Sequence, residues 1–323
     1  MPRRARLDAP GTLHHVMVRG IERRRIVNDV DDRKNFLKRL AELAVATKTT
    51  IYAWALLTNH AHILLRSSEM GLSGFMRRLL TGYAVSYNRR HGRWGHLFQN
   101  RYKSIVCDED VYFTELVRYI HLNPLRAKLV KSLSQLDRYR WSGHSVLMGK
   151  VENDWQDRDY VLKLFGKTEG QAKDAYRNYV KKAIGEGRRP ELVGGGLIRS
   201  LGGWSAVKAM RRSGERELSD DRILGSGEFV ERIIKEADAK IKFQLAVSGN
   251  HQKIHAYMSK ICKKEKVSID ELKAGSRRKQ VSRVRGRIAI ELVEGHGVAL
   301  AEVARRVGVS TSAVAKILKR ASK

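Results

Sequence analysis

The sequence predicts an α+β region, one antiparallel sheet with helices against one face, followed by an all-α C-terminal region ending in a helix-turn-helix. Three observations carry this. Strand-like and helix-like hydrophobic periods alternate over roughly the first 130 residues. The helical segments open on acidic residues suited to a helix N-terminus. Near the C-terminus, two short amphipathic helices flank Gly308. The division expected from these patterns is 1–131, then a mixed helical extension with a glycine-rich linker over 132–215, then a helical domain over 216–323.

"LHHVMVRG", Leu13 to Gly20, reads as a strand ended by a glycine, with His15, Met17 and Arg19 on one face. A helix follows, capped by Asp31 or Asp32, with Phe36, Leu37, Leu40, Leu43 and Ala44 as its apolar stripe. "TIYAWALLTNHAHILLRS" is two strands joined near Thr58 and Asn59. Leu72, Phe75, Met76, Leu79, Leu80 and Tyr83 recur at helical spacing, "HLFQNRYKSIVC" is strand-like, and the helix through "YFTELVRYIH" is limited by Pro124. Helices are expected around "DRDYVLKLF" and "EGQAKDAYRNYVKKAIGEG". "PELVGGGLIRSLGG" reads as a mobile surface loop, with no lysine or serine placed to make it a phosphate loop. At the C-terminus, "LAEVARRVGV" and "STSAVAKILKR" form the helix pair, with Ser310 as cap and Val303, Ala304, Val307, Val309, Val314 and Ile317 packing it.

The 323 residues carry 64 Lys and Arg against 34 Asp and Glu, a formal charge of +30. A charge this large attracts polyanions, nucleic acid before an anionic membrane surface. Cys107 and Cys262 are too few and too far apart for a disulfide framework or thiolate cluster. No apolar run approaches the roughly 20 residues that span a bilayer. The expectation is an intracellular, cytoplasmic protein associated with the nucleoid. The segment "SRRKQVSRVRGR" supplies Arg277, Arg278, Lys279, Arg283 and Arg285 for phosphates, with Ser310, Thr311, Ser312 and Lys316 at the outer end of the helix pair.

His60 and His62 lie two apart, so both imidazoles leave a strand on one face. Such a pair can chelate one cation, and it also suits two ordinary polar residues on a half-wet sheet face. Tyr119 and Asn123 are one helical turn apart. A helix across the sheet would set both above the histidines. Two imidazoles and an amide oxygen suit Mg²⁺ or Mn²⁺ moderately, and would also take Zn²⁺. The phenol is then a nucleophile toward a phosphodiester, with Arg19, Arg101, Lys103 and Arg118 available to the phosphate. Taken singly, Tyr119 suits a core aromatic and Asn123 a helix-terminal residue. Tyr112, two turns earlier on almost the same face, and Tyr102 are the alternative nucleophiles.

The blocks "HHVMVRG", "NHAHILLRS", "GLSGFMRRLLTGYAVSYNRRHGRWGHLFQNRYKS" and "YFTELVRYIHLNPLRAKLV" resemble the IS200-like single-tyrosine transposases, and more narrowly the REP-associated tyrosine transposases. The resemblance covers about residues 8–150. It implies an HUH/ferredoxin-like fold, His60 and His62 as metal ligands, Asn123 as the third ligand and Tyr119 as nucleophile. It implies metal-dependent cleavage and rejoining of single-stranded DNA at a hairpin through a 5′-phosphotyrosine, by a monomer or homodimer. Two positions depart from the pattern: Thr58 stands where the family has proline, and the residue between the histidines is only Ala61. The C-terminal part resembles, over a shorter stretch, the DNA-binding domain of the bacterial replication initiator. The alternative reading is a non-catalytic DNA binder or repressor of repetitive palindromes. An RNA-binding structural protein would share the composition and cut no strand.

Overall fold

The computed structural model describes residues 7–8, 10–99, 101–187, 189–194, 218–236, 251–276, 278–295 and 300–321. Its centre is β1 (Leu13–Arg19), the middle strand of a sheet ordered β2-β3-β1-β4-β5. The other strands are β2 (Thr50–Leu56), β3 (His60–Arg66), β4 (Lys103–Cys107) and the two-residue β5 (Ile223–Leu224). The first four pair antiparallel, and β5 joins β4 in parallel. The β1/β3 register sets Met17 opposite His62 and Arg19 opposite His60. Because side chains alternate, His15, Met17, His60, His62 and Lys103 share one face.

Two helices cover the other face. Helix α1 (Val30–Thr47) is capped by Asp29, whose extended backbone lets its carboxylate accept from the Asp31 and Asp32 amides. The cap is thus two or three residues earlier than the sequence reading placed it. With α2 (Leu72–Arg90), α1 closes a core of Val16, Val18, Ile63 and Leu65 against Phe36, Leu40, Phe75 and Leu79.

The histidine face is covered as well, by the helix expected above the histidines and by later helices that the pattern of the first 131 residues does not foretell. Helix α3 (Glu109–His121) lays Phe113, Leu116, Val117 and Ile120 over Tyr52, Leu64 and Ile105. After the one-turn α4 (Asn123–Arg126) come α5 (Leu133–Asp137), α6 (His144–Leu147), α7 (Arg158–Lys163) and α8 (Glu169–Lys182). Val161, Leu162, Ala172, Tyr176 and Val180 from the last two join the same core. A buried polar chain fixes the end of α3. The Tyr176 hydroxyl lies 2.6 Å from His121 Nδ1 and 3.1 Å from His144 Nδ1, and Asp137 meets His144 Nε2 at 2.9 Å and Arg177 Nε at 2.9 Å. Gly143 is required beside it, since a Cβ there would come within 2.6 Å of Gln156 Oε1 and 2.9 Å of His121 Nε2.

The chain divides into two compact units, Met1–Ala237 and Asp238–Lys323. The boundary falls later than 215/216 because Ile223, Phe229, Val230 and Ile233 pack on Val106 of β4. The second unit contains α9 (His251–Lys264), α10 (Ile269–Lys273), α11 (Lys279–Ile290), α12 (Leu300–Val307) and α13 (Thr311–Ala321). The last two are the expected helix pair. Gly308 turns between them at φ +68°, where a side chain would also overlap the Lys273 carbonyl. Ser310 Oγ accepts from the Ala313 amide at 3.2 Å, and Val303, Ala304, Val307 and Val314 are buried.

Arg285 was expected on the DNA face and lies inside this unit instead. Its guanidinium donates to the carbonyls of Leu272, Ser276 and Val307 at 3.0, 3.0 and 2.9 Å. It thereby satisfies carbonyls at the ends of α10 and α12, where the helix leaves acceptors without partners. Arg285→Ala is expected to lower the unit's unfolding free energy by about 2–3 kcal/mol, the scale for charged hydrogen bonds. Arg283→Ala, at an exposed ion pair with Glu265, should change it by less than about 1 kcal/mol. Urea unfolding of the two variants checks both.

Candidate functional site

The β2–β3 turn places the two histidines. Its Thr58 carbonyl accepts from the Ile26 amide at 2.9 Å, and the Leu57 amide donates to the His60 carbonyl at 2.9 Å. The turn is therefore held by backbone bonds without the proline the resemblance leads one to expect. Ala61 points into the α1/α2 core, 2 % exposed. His60 and His62 project to the opposite face, with ring centroids 5.3 Å apart.

Helix α3 crosses above them. The Tyr119 ring centroid lies 5.9 Å from that of His62 and 6.0 Å from that of His15. One turn on, Asn123 donates its amide nitrogen to the Tyr119 and Ile120 carbonyls at 3.0 and 3.2 Å. This leaves Oδ1 as the atom the side chain has for a ligand. Asn123, Tyr119, His60 and His62 line one cleft of about 700 Å³. Its wall also holds Arg19, Arg23, Lys103, Arg126 and Arg189, and no carboxylate among the described residues.

The hydrogen bonds suit the pair to a metal. His60 Nδ1 meets Asn59 Oδ1 at 2.6 Å, and His62 Nδ1 meets His15 Nε2 at 2.9 Å. Both Nδ1 atoms are engaged, so Nε2 is the nitrogen each ring offers. Burial, with Arg19 nearby, lowers the His60 pKa to about 4, and burial with His15 and His60 holds His62 well below its ordinary value. Both are neutral at pH 7, the form that ligates. By donor type, two imidazole nitrogens and an amide oxygen suit a divalent ion with positions left open.

A second group, Asp29, Asp32 and His91, has ligand atoms within 4.8 Å of one another, a geometry that a divalent ion also fits. Here Arg90 Nη1 already lies 2.7 Å from Asp29 and 2.6 Å from Asp32, and His91 Nε2 lies 2.9 Å from Asp32. The cluster is an ion-pair knot joining the start of α1 to the end of α2.

The remaining sequence candidates separate. Arg19 and Lys103 reach the cleft, and Lys103 Nζ donates to the Val193 carbonyl at 2.5 Å. Arg101 lies exposed on a neighbouring groove under α2. Arg118 is buried, stacked 4.3 Å from the Tyr179 ring and paired with Glu186 at 3.1 Å, so it faces protein where the sequence reading had DNA. Arg278, Lys279, Arg283, Ser310, Thr311, Ser312 and Lys316 are exposed, and Arg277 lies outside the described residues. Tyr102 is buried, with its hydroxyl 3.3 Å from Ser73 Oγ. Tyr112 is half-buried against the α3 core.

Sequence reasoning missed His15, Asn59, Arg126 and Arg189 as members of the site. The parity of His15 with Arg19 was visible, but its partner depended on strand order. Arg126, seven residues after Tyr119, stacks 5.1 Å from that ring. The glycine-rich segment begins inside the structure: Leu192 is 1 % exposed and its carbonyl meets His15 Nδ1 at 3.0 Å. Positions 195–203 of that expected loop lie outside the described residues.

The buried imidazoles give the first unit a pH dependence. Burial lowers His14 and His15 to about 4, partly offset by Asp8 and by the Leu192 carbonyl respectively. In the unfolded chain they protonate near 6.5. Between about 4 and 6.5 the unfolded state binds more protons, so stability is present above that window and is lost as pH falls through it. The unfolding free energy of the first unit, from urea titration, should fall between pH 7 and pH 5 by roughly 1 kcal/mol per pH unit for each such histidine, lowering the midpoint accordingly. A midpoint unchanged over that range contradicts the burial.

Residues 11–123 match the family model described as "Transposase IS200 like". Among solved structures, the chain is similar to a REP-associated tyrosine transposase bound to a REP hairpin, at 16 % identity and a TM-score of 0.39, over 49 % of this chain and 94 % of that one. No curated protein matches. Among the described residues, no helix is long and apolar enough to cross a membrane. Residues 11–123 of the first unit are thus similar to the IS200-like transposase domain, and the helices that follow lie outside this match.

Proposed function

We propose that the chain cuts and rejoins single-stranded DNA beside a hairpin, with Tyr119 as nucleophile and His60, His62 and Asn123 as ligands of Mg²⁺ or Mn²⁺. One observation carries this reading: the two imidazoles, the amide oxygen and the phenol line a single cleft walled by cations. Charge supports a phosphate as the occupant. Five basic side chains and, among the described residues, no acidic one line the cleft; Arg189 is paired with Glu115 and Glu186, and Arg19, Arg23, Lys103 and Arg126 keep the cleft positive.

When bound, the metal polarises the scissile phosphate and steadies its developing charge. Tyr119 Oη attacks phosphorus and gives up its proton. The O–P bond to the upstream nucleotide breaks, and that strand leaves as a 3′-hydroxyl after taking a proton. The DNA remains joined to Tyr119 through its 5′-phosphate, so the bond energy is kept for rejoining. Arg126, stacked against the Tyr119 ring, and Lys103 line the same cleft and would neutralise the phosphate bound there. A neutral donor set in a basic cleft binds a cation weakly by itself. The phosphate supplies the missing negative charge, so metal and DNA bind with positive coupling.

For the second unit, the proposed role is duplex DNA binding beside the hairpin, through the exposed face that includes Thr311, Ser312 and Lys316. A palindrome-binding repressor without strand cleavage is the alternative, and one assay separates the two. A hairpin oligonucleotide with a single-stranded flank, incubated with Mn²⁺, should give a covalent protein–DNA adduct on a denaturing gel. Tyr119→Phe should abolish it while leaving binding within about threefold, and His60→Ala should lower it by about 100-fold or more. An adduct that persists in Tyr119→Phe moves the nucleophile to Tyr112 or Tyr102. No adduct from the wild type, with hairpin binding intact, favours the repressor.

A chain ending at residue 237 keeps the sheet whole, because β5 and its packing on Val106 lie before that point. It should still cut a short hairpin. On longer DNA with flanking duplex, its affinity should fall at least about tenfold and lose part of its salt dependence. Equal binding by the two chains would remove DNA from the second unit's role.

A further inference from the structure

We propose that His15 and Asn59 are the positioning residues of the metal pair, each holding the Nδ1–H of one histidine so that both Nε2 lone pairs face the ion. The proposal rests on the function above for the identity of the ion, though not for the hydrogen-bond pattern. A neutral imidazole has one donor and one acceptor nitrogen. Two chains of bonds decide which is which, and both end on a backbone carbonyl, a group that only accepts.

The first chain runs through His15. The Leu192 carbonyl lies 3.0 Å from His15 Nδ1, which must therefore donate. His15 Nε2 then carries the lone pair and accepts from His62 Nδ1 at 2.9 Å. His62 Nε2 is left unprotonated. The second chain runs through Asn59. Its Nδ2 donates to the Arg23 carbonyl at 3.0 Å, which fixes the orientation of the amide. The oxygen thus faces His60 Nδ1 at 2.6 Å, that nitrogen must donate, and His60 Nε2 is also unprotonated. Two anchors far apart in the sequence set the same tautomer on both rings. Partners of this kind orient a ligating imidazole and raise its basicity.

Leu192 belongs to the segment Pro190–Val193, outside the residues matched to the IS200-like family. The direction of the first chain is therefore set from the extension, 177 positions away from His15 along the chain. His15 touches no ion in this arrangement. It acts through His62.

The full-length wild type, free of metal and labelled with ¹⁵N-histidine, tests the pattern by long-range ¹H–¹⁵N NMR. His60 and His62 should both show a protonated Nδ1 and an unprotonated Nε2. A protonated Nε2 on His62 overturns the His15 arm, and on His60 the Asn59 arm. His15→Phe keeps a ring and removes the acceptor. It should shift His62 toward the Nε2–H form and weaken Mn²⁺ binding by about 10–100-fold, read from the EPR signal of the free ion. His15→Gln, whose Oε1 can replace Nε2 as acceptor, should recover most of that loss. Unchanged tautomer and Mn²⁺ affinity in a folded His15→Phe would overturn the proposal. If that variant does not fold, the wild-type spectrum decides. A wild type with the expected tautomers that takes up no Mn²⁺, with or without hairpin DNA, defeats the metal reading and leaves the hydrogen-bond assignment standing.

Discussion

The antiparallel register of β1 against β3 is the constraint on which the site depends. It sets Met17 across from His62 and Arg19 across from His60, and so brings His15 diagonally beside His62. A slip of β3 by one residue would turn His60 and His62 toward the apolar core under α1 and α2, and set Ala61 and Ile63 on the cleft face. The register is therefore held by the same burial that forms the fold, and the site needs no separate energy to keep its strands in line.

The second requirement is that α3 stay fixed over the sheet. Its inner side packs Phe113, Leu116, Val117 and Ile120 onto the strands, and its last turn is held by the His121–Tyr176–His144–Asp137 chain. Tyr119 sits between these anchors. Its hydroxyl position follows from a rigid helix, a precise way to hold a reacting group. The helices after α4 thus serve the tyrosine although none of them is in the family match. The same region supplies Leu192, so the extension supports both the proposed nucleophile and the proposed metal pair.

The cleft's electrostatics explain why its donor set is neutral. A carboxylate ligand would bind a divalent ion more tightly, but in this wall it would pair with Arg19, Lys103 or Arg126. In the proposed reading, neutral ligands leave the cations to the phosphate. Where the chain does place carboxylates at metal-binding spacing, at Asp29 and Asp32, Arg90 occupies them. Burial plays a matching part by keeping His60 and His62 unprotonated near neutral pH.

Much of this was legible in the sequence. Period-2 and period-3.6 patterns located the first four strands and the main helices, and the His60/His62 and Tyr119/Asn123 spacings, taken with the family resemblance, singled out four residues that line one cleft. The helix pair around Gly308 and its buried valines were equally plain. Local spacing could not say which strand lies beside which, so His15 was visible as a face residue and invisible as a partner of His62. It could not separate a surface arginine from one that satisfies buried carbonyls, and Arg118 and Arg285 were placed on the wrong side for that reason. The polar stretch after Val130 concealed a second layer of core, because its apolar residues are spread over the one- or two-turn helices α5, α6 and α7 and one face of the largely polar α8. Sequence determined the chemistry available in this protein. The tertiary structure decided which groups meet, because hydrogen-bond partners distant in the chain are set only when strands and helices pack.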